Sequence, residues 1–324
     1  MVLLRLTVGV AILGLLIHFV PVRVLWTAVR RVSLGLWLAI LFGYLAAHAL
    51  GWVKWRMMVN LASTGLSAVQ SARCYFGGLF ATLFLPSILG GDVVRIGLAL
   101  RLGRNRAGAL LGSFVDRLVD LAALSCVAGI GALLIPEALQ PQSRQAFVVA
   151  VAGVGGGLVV LLIVVMIAVT VVPAGRFSYR IRRHLVRLRR ASRSMFREPQ
   201  RVLLALAIGI TVQTSFVLLT SVIASACGLP LPLRVWLFVS PLAKLAALLP
   251  VTQGGLGVRE AALVALAAPF GAAPAITIAV GLVWEAIIIG GGLIAGLISF
   301  SLGRTAASDV TLMTYDVPRH DRGV

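Results

Sequence analysis

The feature that most constrains this chain is a series of long apolar runs. Residues 2–20, 34–53, 107–135, 146–172, 202–226 and 275–303 each reach the ~20 residues that cross ~30 Å of hydrocarbon. Charged residues are 12% of the 324-residue chain and mean hydropathy is +1.04. A soluble domain carries roughly 25% charged residues. The pattern predicts an all-α, polytopic membrane helix bundle with about six full spans, and it excludes a soluble enzyme. The first run has only Arg5 as a charged flank and no small-residue cleavage pattern around Pro21. It therefore reads as an uncleaved span, not a signal peptide.

The net charge is +19, from 29 basic and 10 acidic residues. In a soluble protein such an excess would suggest nucleic acid. Here it sits between apolar spans, as the positive-inside pattern requires. The densest run, Arg176 to Arg201, contains ten arginines and has no aromatic stacking platform at its centre. Nucleic acid is thus excluded as a partner. A juxtamembrane loop over about 174–201 is expected to lie in the cytoplasm against anionic headgroups.

Two segments repeat. Leu85-Pro86 with Gly90-Gly91 and Val94-Arg95 matches Leu249-Pro250 with Gly254-Gly255 and Val258-Arg259, each pair offset by 164 residues without a gap. Both read L-P-x3-G-G-x2-V-R, and Gly257 adds a further glycine to the second. Proline removes a donor and disfavours helix before it. Paired glycines allow φ > 0 and close backbone approach. Broken backbone at membrane depth is tolerated only where protein or a water-filled cavity satisfies it. Paired broken segments in two halves point to a transporter's binding site.

The expected organisation is one transmembrane domain over residues 1–303. It holds two re-entrant broken-helix hairpins, at about 72–100 and 235–270, related by an inverted internal repeat. The polar tail 304–324 is expected to be disordered. The flank Trp52 to Arg56 reads as an aromatic and basic membrane interface. With the N-terminus in the cytoplasm, the hairpins enter from opposite leaflets and the C-terminus is cytoplasmic. This topology leaves Arg23, Arg30 and Arg31 outside. The rival topology exiles Lys54, Arg56 and Arg73 instead.

An ionisable group near the bilayer centre costs roughly 2.5–3.5 kcal/mol, so each is a functional candidate. The candidates for substrate binding are Asp92, Arg95, Asp116, Arg117, Asp120, Lys244, Arg259, Glu260 and Glu285. Asp116 and Asp120 share a helix face. The rival reading is that such charges pair internally and lock helices together. Gln213, Thr214 and Ser215 read as helix-packing groups. Arg95 and Arg259 occupy equivalent positions in the repeat and are expected to face one shared cavity and hold an anion bidentately. Cys74, Cys126, Cys227 and the four histidines form no metal-ligand or catalytic spacing, so neither a metal nor a cofactor is expected. There is no P-loop, since Lys54 and Lys244 follow Val53 and Ala243 instead of glycine.

The Pro86–Arg95 motif, Asp116-Arg117 with Asp120, and the run Gln253 to Glu260 resemble the lysylphosphatidylglycerol synthase transmembrane-region family, also described as flippase-like. The resemblance covers about residues 1–303, with the two Gly-Gly motifs its most specific part. Asp116 departs from the Glu expected before Arg117. Bifunctional members carry a soluble aminoacyl-transferase domain after the membrane region. Only about 20 polar residues follow here, so the resemblance implies no synthase activity.

The resemblance implies movement of a lipid, or polyprenyl-linked lipid, with an anionic headgroup across the cytoplasmic membrane. Two alternatives stay open. One is an accessory subunit of a cell-envelope lipid synthase, docked through the arginine loop. The other is a membrane-embedded enzyme using Asp116, Asp120, Glu260 or Glu285 as acid–base groups. A homo-oligomer is a further arrangement consistent with the sequence.

Overall fold

The computed structural model describes residues 22–85, 89–135, 197–248 and 257–315, with single positions at 186, 189, 192, 193, 195 and 252. The described residues form nine α-helices and one short 3-10 turn, with no strand among them. The helices are α1 (Val22–Arg30), α2 (Leu34–Leu61), α3 (Ala68–Ala81), α4 (Leu89–Leu102), α5 (Arg106–Leu133), α6 (Pro199–Cys227), α7 (Leu233–Ala246), α8 (Val258–Ala267) and α9 (Pro274–Tyr315). The runs expected to span at 2–20 and 146–172, and most of the arginine loop, lie outside the described residues.

Local chemistry sets the helix ends. Ser33 caps α2 by accepting from the Leu36 N–H at 3.2 Å. Ser67 and Gln70 form a reciprocal capping box at the start of α3, with bonds of 3.1 and 3.2 Å. Pro199 opens α6, and Gly228 ends it with φ at 94°.

Among the described residues, three helices are long and apolar enough to cross a membrane: α2, α6 and the Pro274–Arg304 part of α9. Helix α5 equals α2 at 28 residues but carries Asp116, Arg117 and Asp120. The remaining helices are short. At 14 residues each, α3, α4 and α7 are about 21 Å long, and α8, at 10 residues, about 15 Å. None covers ~30 Å alone. Helices α3 and α4 pack on each other, as do α7 and α8, and both pairs also touch α5.

Packing of α9 against its neighbours relies on glycine. A Cβ on Gly292 or Gly296 would meet Leu83 or Phe80 at under 3 Å. Ser299 donates its hydroxyl to the Arg73 carbonyl at 3.0 Å. Small residues and interhelical hydrogen bonds hold helices together where lipid supplies no hydrophobic drive.

Three expectations need correction. Gly90 and Gly91 do not break a helix: both lie in the first turn of α4, and neither has positive φ. Their use is close approach, since a Cβ on Gly91 would sit 2.5 Å from the Gly78 carbonyl oxygen of α3. Trp52 to Arg56 is not a flank beyond the span, because α2 continues to Leu61 and buries Lys54 and Trp55. The tail is helical as far as Tyr315. Between Arg304 and Tyr315 there is no proline or glycine to stop α9, and several residues there are good helix formers.

Candidate functional site

The charged residues expected to lie within the membrane fall into two groups. The first surrounds a cavity of about 140 Å³ bounded by α2 to α7. From α2 come His48 and Lys54, from α3 Tyr75, and from α4 Asp92 and Arg95. Helix α5 contributes Asp116, Arg117 and Asp120, α6 contributes Gln213 and Phe216, and α7 contributes Lys244. Leu79, Leu121, Leu124, Val212 and Leu248 complete its apolar wall.

Six of the charges form a chained network. Lys54 Nζ lies 2.5 Å from Asp116 Oδ1 and 2.9 Å from Asp120 Oδ1. The i, i+4 spacing on α5 turns both carboxylates toward one ammonium. Lys54 is 2% exposed and Asp116 1%. Arg95 Nη2 lies 2.6 Å from Asp92 Oδ1, and 3.7 Å from Asp116 Oδ2. Arg117 pairs with the other oxygen of Asp92. Desolvation of so many charges is tolerable only because each finds an opposite partner.

Arg95 is also gripped by aromatic rings, its Cζ lying 5.2 Å from the Trp55 ring centre and 5.3 Å from that of Tyr75. Trp55 in turn donates to the Ser113 hydroxyl at 3.2 Å. His48 Nδ1 and the Tyr75 hydroxyl are 3.2 Å apart. Three buried polar atoms of this network have no hydrogen-bond partner among the described residues: Arg95 Nε, Arg117 Nε and Asp116 Oδ2.

Lys244 stands apart from the network. Its ammonium donates to Gln213 Oε1 at 2.9 Å and lies 4.7 Å from the Phe216 ring centre. Gln213 was expected only to glue helices, but it also orients this cation.

The second group joins α8 to α9. Arg259 donates to Glu260 Oε1 at 2.6 Å, to Glu285 Oε2 at 3.0 Å and to the Gly281 carbonyl at 3.1 Å. Glu260 Oε2 reaches back to accept from the Gly257 N–H at 2.7 Å. Gly257 has φ at 82°, a conformation that favours glycine.

Among the described residues, Arg95 and Arg259 do not share the cavity expected for them. Arg95 lines the cavity, whereas Arg259, Glu260 and Glu285 do not. The second half reaches the cavity through Lys244 of α7. Arg95 is the seventh residue of α4, whereas Arg259 is the second of α8, where it pairs with Glu260 and with Glu285 of α9. Pro86, Pro250, Gly254 and Gly255 lie outside the described residues. Sequence reading missed Lys54, His48 and Tyr75. The signal for Lys54 was its place in an apolar stretch three residues after Gly51, masked by the neighbouring Trp52, Trp55 and Arg56. Among the described residues no group of His, Cys, Asp and Glu side chains could hold a metal ion.

No curated protein and no solved structure matches the chain at a significant level. The family model for the lysylphosphatidylglycerol synthase TM region matches residues 2–296. With its long apolar helices, this multi-pass membrane protein belongs to the lysylphosphatidylglycerol synthase transmembrane-region family.

Proposed function

We propose that this protein moves a lipid, or polyprenyl-linked lipid, with an anionic headgroup across the cytoplasmic membrane. The observation that carries the reading is the charged cavity inside a membrane bundle, lined by Arg95 from one short helix pair and Lys244 from the other. Water-excluding walls strengthen every electrostatic contact made there. A headgroup in such a cavity exchanges its hydration for fixed cations, which lowers the barrier to crossing hydrocarbon.

In this reading α3–α4 and α7–α8 are two re-entrant hairpins of an inverted repeat, because their helices are too short to span. Each brings one cation to the cavity from its own leaflet. Arg95, Arg117 and Lys244 receive the anion, while Asp92 holds both arginines between cycles and Asp116 lies beside Arg95. Arg259, Glu260 and Glu285 act as a lock between α8 and α9. The arginine loop and the C-terminus face the cytoplasm.

Purified protein in liposomes containing a headgroup-labelled anionic lipid provides the test. Protein-dependent loss of label accessibility on one leaflet, with the lipid chemically unchanged, supports transport. A chemically altered lipid favours a membrane-embedded enzyme. No movement and no alteration favours an accessory subunit of an envelope lipid synthase.

A further inference from the structure

The charge balance of the cavity carries an inference about what fits it. Its described lining holds four cations, Lys54, Arg95, Arg117 and Lys244, against three carboxylates, Asp92, Asp116 and Asp120. Three cations are matched by ion pairs to those carboxylates. Lys244 is not: among the described residues no carboxylate lies within 4.0 Å of its ammonium, whose contacts are the neutral Gln213 and Phe216. A buried charge without a counter-charge is costly, and the cost disappears when an anion arrives.

Composition singles out the same residue. The chain has only two lysines among its 29 basic residues, Lys54 and Lys244, and both line this cavity. Everywhere else positive charge is carried by arginine. An ammonium is a compact point charge with three donors, whereas a guanidinium is a wide planar fork. Lys54 uses its donors on two aspartates. Among the described residues Lys244 donates to one acceptor, Gln213, so it retains donor capacity for a ligand. The buried Nε–H groups of Arg95 and Arg117 also lack acceptors in the same lining.

We infer that Lys244 anchors the single negative charge of a phosphodiester headgroup, and that the cavity selects monoanions over dianions. This rests on the lipid-transport reading and gives its substrate class. An excess of one positive charge is neutralised by one phosphodiester. A phosphomonoester, with roughly −1.5 to −2 charge at neutral pH, would leave the cavity negative beside Asp92 and Asp120. A choline headgroup offers a cation that Lys244 and the arginines repel. At about 140 Å³ the space far exceeds the ~15 Å³ needed for one water.

The test is binding to the purified protein in detergent at neutral pH, read as thermal stabilisation. The probes are short-chain phosphatidylglycerol, phosphatidic acid and phosphatidylcholine with identical tails, and glycerophosphoglycerol without tails. Phosphatidylglycerol is expected to bind at least about tenfold more tightly than the other two lipids, a difference of ~1.4 kcal/mol. Weaker binding of the tail-free diester identifies a lipid as the source of the phosphodiester, and equal binding identifies a soluble ligand; the monoanion site stands in both cases. Lys244→Gln should remove the preference, and Lys244→Arg should retain it. Equal or tighter binding of the monoester or the choline lipid overturns the inference, as does unchanged selectivity in Lys244→Gln or no binding of any probe. The comparison between headgroups needs no variant, so it holds even if Lys244→Gln misfolds. Selective binding without transport in liposomes leaves the monoanion site standing and overturns the flippase reading. Transport without headgroup preference does the reverse.

Discussion

The ammonium of Lys54 on α2 lies 2.5 Å from a carboxylate oxygen of Asp116 on α5, and both side chains are almost wholly buried. Removing one partner of such a pair strands the other. Lys54→Met should therefore destabilise the protein by about 3–5 kcal/mol, seen as a lower melting temperature in detergent. Adding Asp116→Asn and Asp120→Asn should recover much of that loss. A triple variant no more stable than Lys54→Met would mean that the ion pairs are not the cause.

The contact between α3 and α4 makes a second prediction. A methyl at Gly91 would press on the Gly78 carbonyl and on Thr82. Gly91→Ala should cost about 1–3 kcal/mol, the range for overpacking. Gly97 lies in the same helix with nothing within 4 Å of its virtual Cβ. Gly97→Ala should be neutral or slightly stabilising, so the pair of melting curves separates crowding from helix propensity.

Arg95 combines an ion pair with two aromatic faces. Arg95→Lys keeps the charge but loses the fork and the stacking, which are worth roughly 0.5–2 kcal/mol. Headgroup movement in liposomes should fall several-fold while membrane insertion and the helix content by circular dichroism stay intact. Full transport by Arg95→Lys would leave Arg95 as an ion-pair partner of Asp92 alone.

In the α8–α9 lock, one guanidinium serves two carboxylates. Arg259→Gln leaves both carboxylates uncompensated and should be the most damaging change in the group. Glu285→Gln keeps the Arg259–Glu260 pair and should be much milder. Thermal unfolding of the two variants side by side gives the order, and a reversed order would contradict the shared-arginine arrangement.

Topology can be tested at Gln200, an exposed position at the start of α6. In a cysteine-free background, Gln200→Cys should be labelled by an impermeant thiol reagent only after the membrane is opened. Labelling from outside intact cells would place the basic loop on the wrong side.

Much of this was legible in the sequence, but unevenly. Apolar length identified α2, α6 and α9 because a span of that kind has few alternatives. The charged positions on α4 and α5 stood out against their apolar setting, as did Lys244. What could not be read was register. The repeat aligned Arg95 with Arg259, yet α4 begins six residues before its arginine and α8 only one. Helix packing, not the local motif, decides what each arginine meets: Arg95 lines the cavity and Arg259 meets Glu285 of α9. Lys54 was misread for a different reason: tryptophans and basic residues mark an interface on average, and nothing local reveals that Asp116 and Asp120 lie across from it.

The Lys54–Asp116 pairing also has a consequence for how the chain is made. The two residues are 62 positions apart. At ~5–20 residues per second, a ribosome takes about 3–12 s to deliver the aspartate after the lysine. During that interval α2 must wait at the translocon, or at the bilayer surface, with an uncompensated ammonium. Helix α5 faces the converse difficulty, because its three charges would cost roughly 8–10 kcal/mol to integrate alone. The two helices are therefore expected to enter the bilayer together, with the earlier one held back for the later, so biosynthetic timing is set by a contact in the finished cavity.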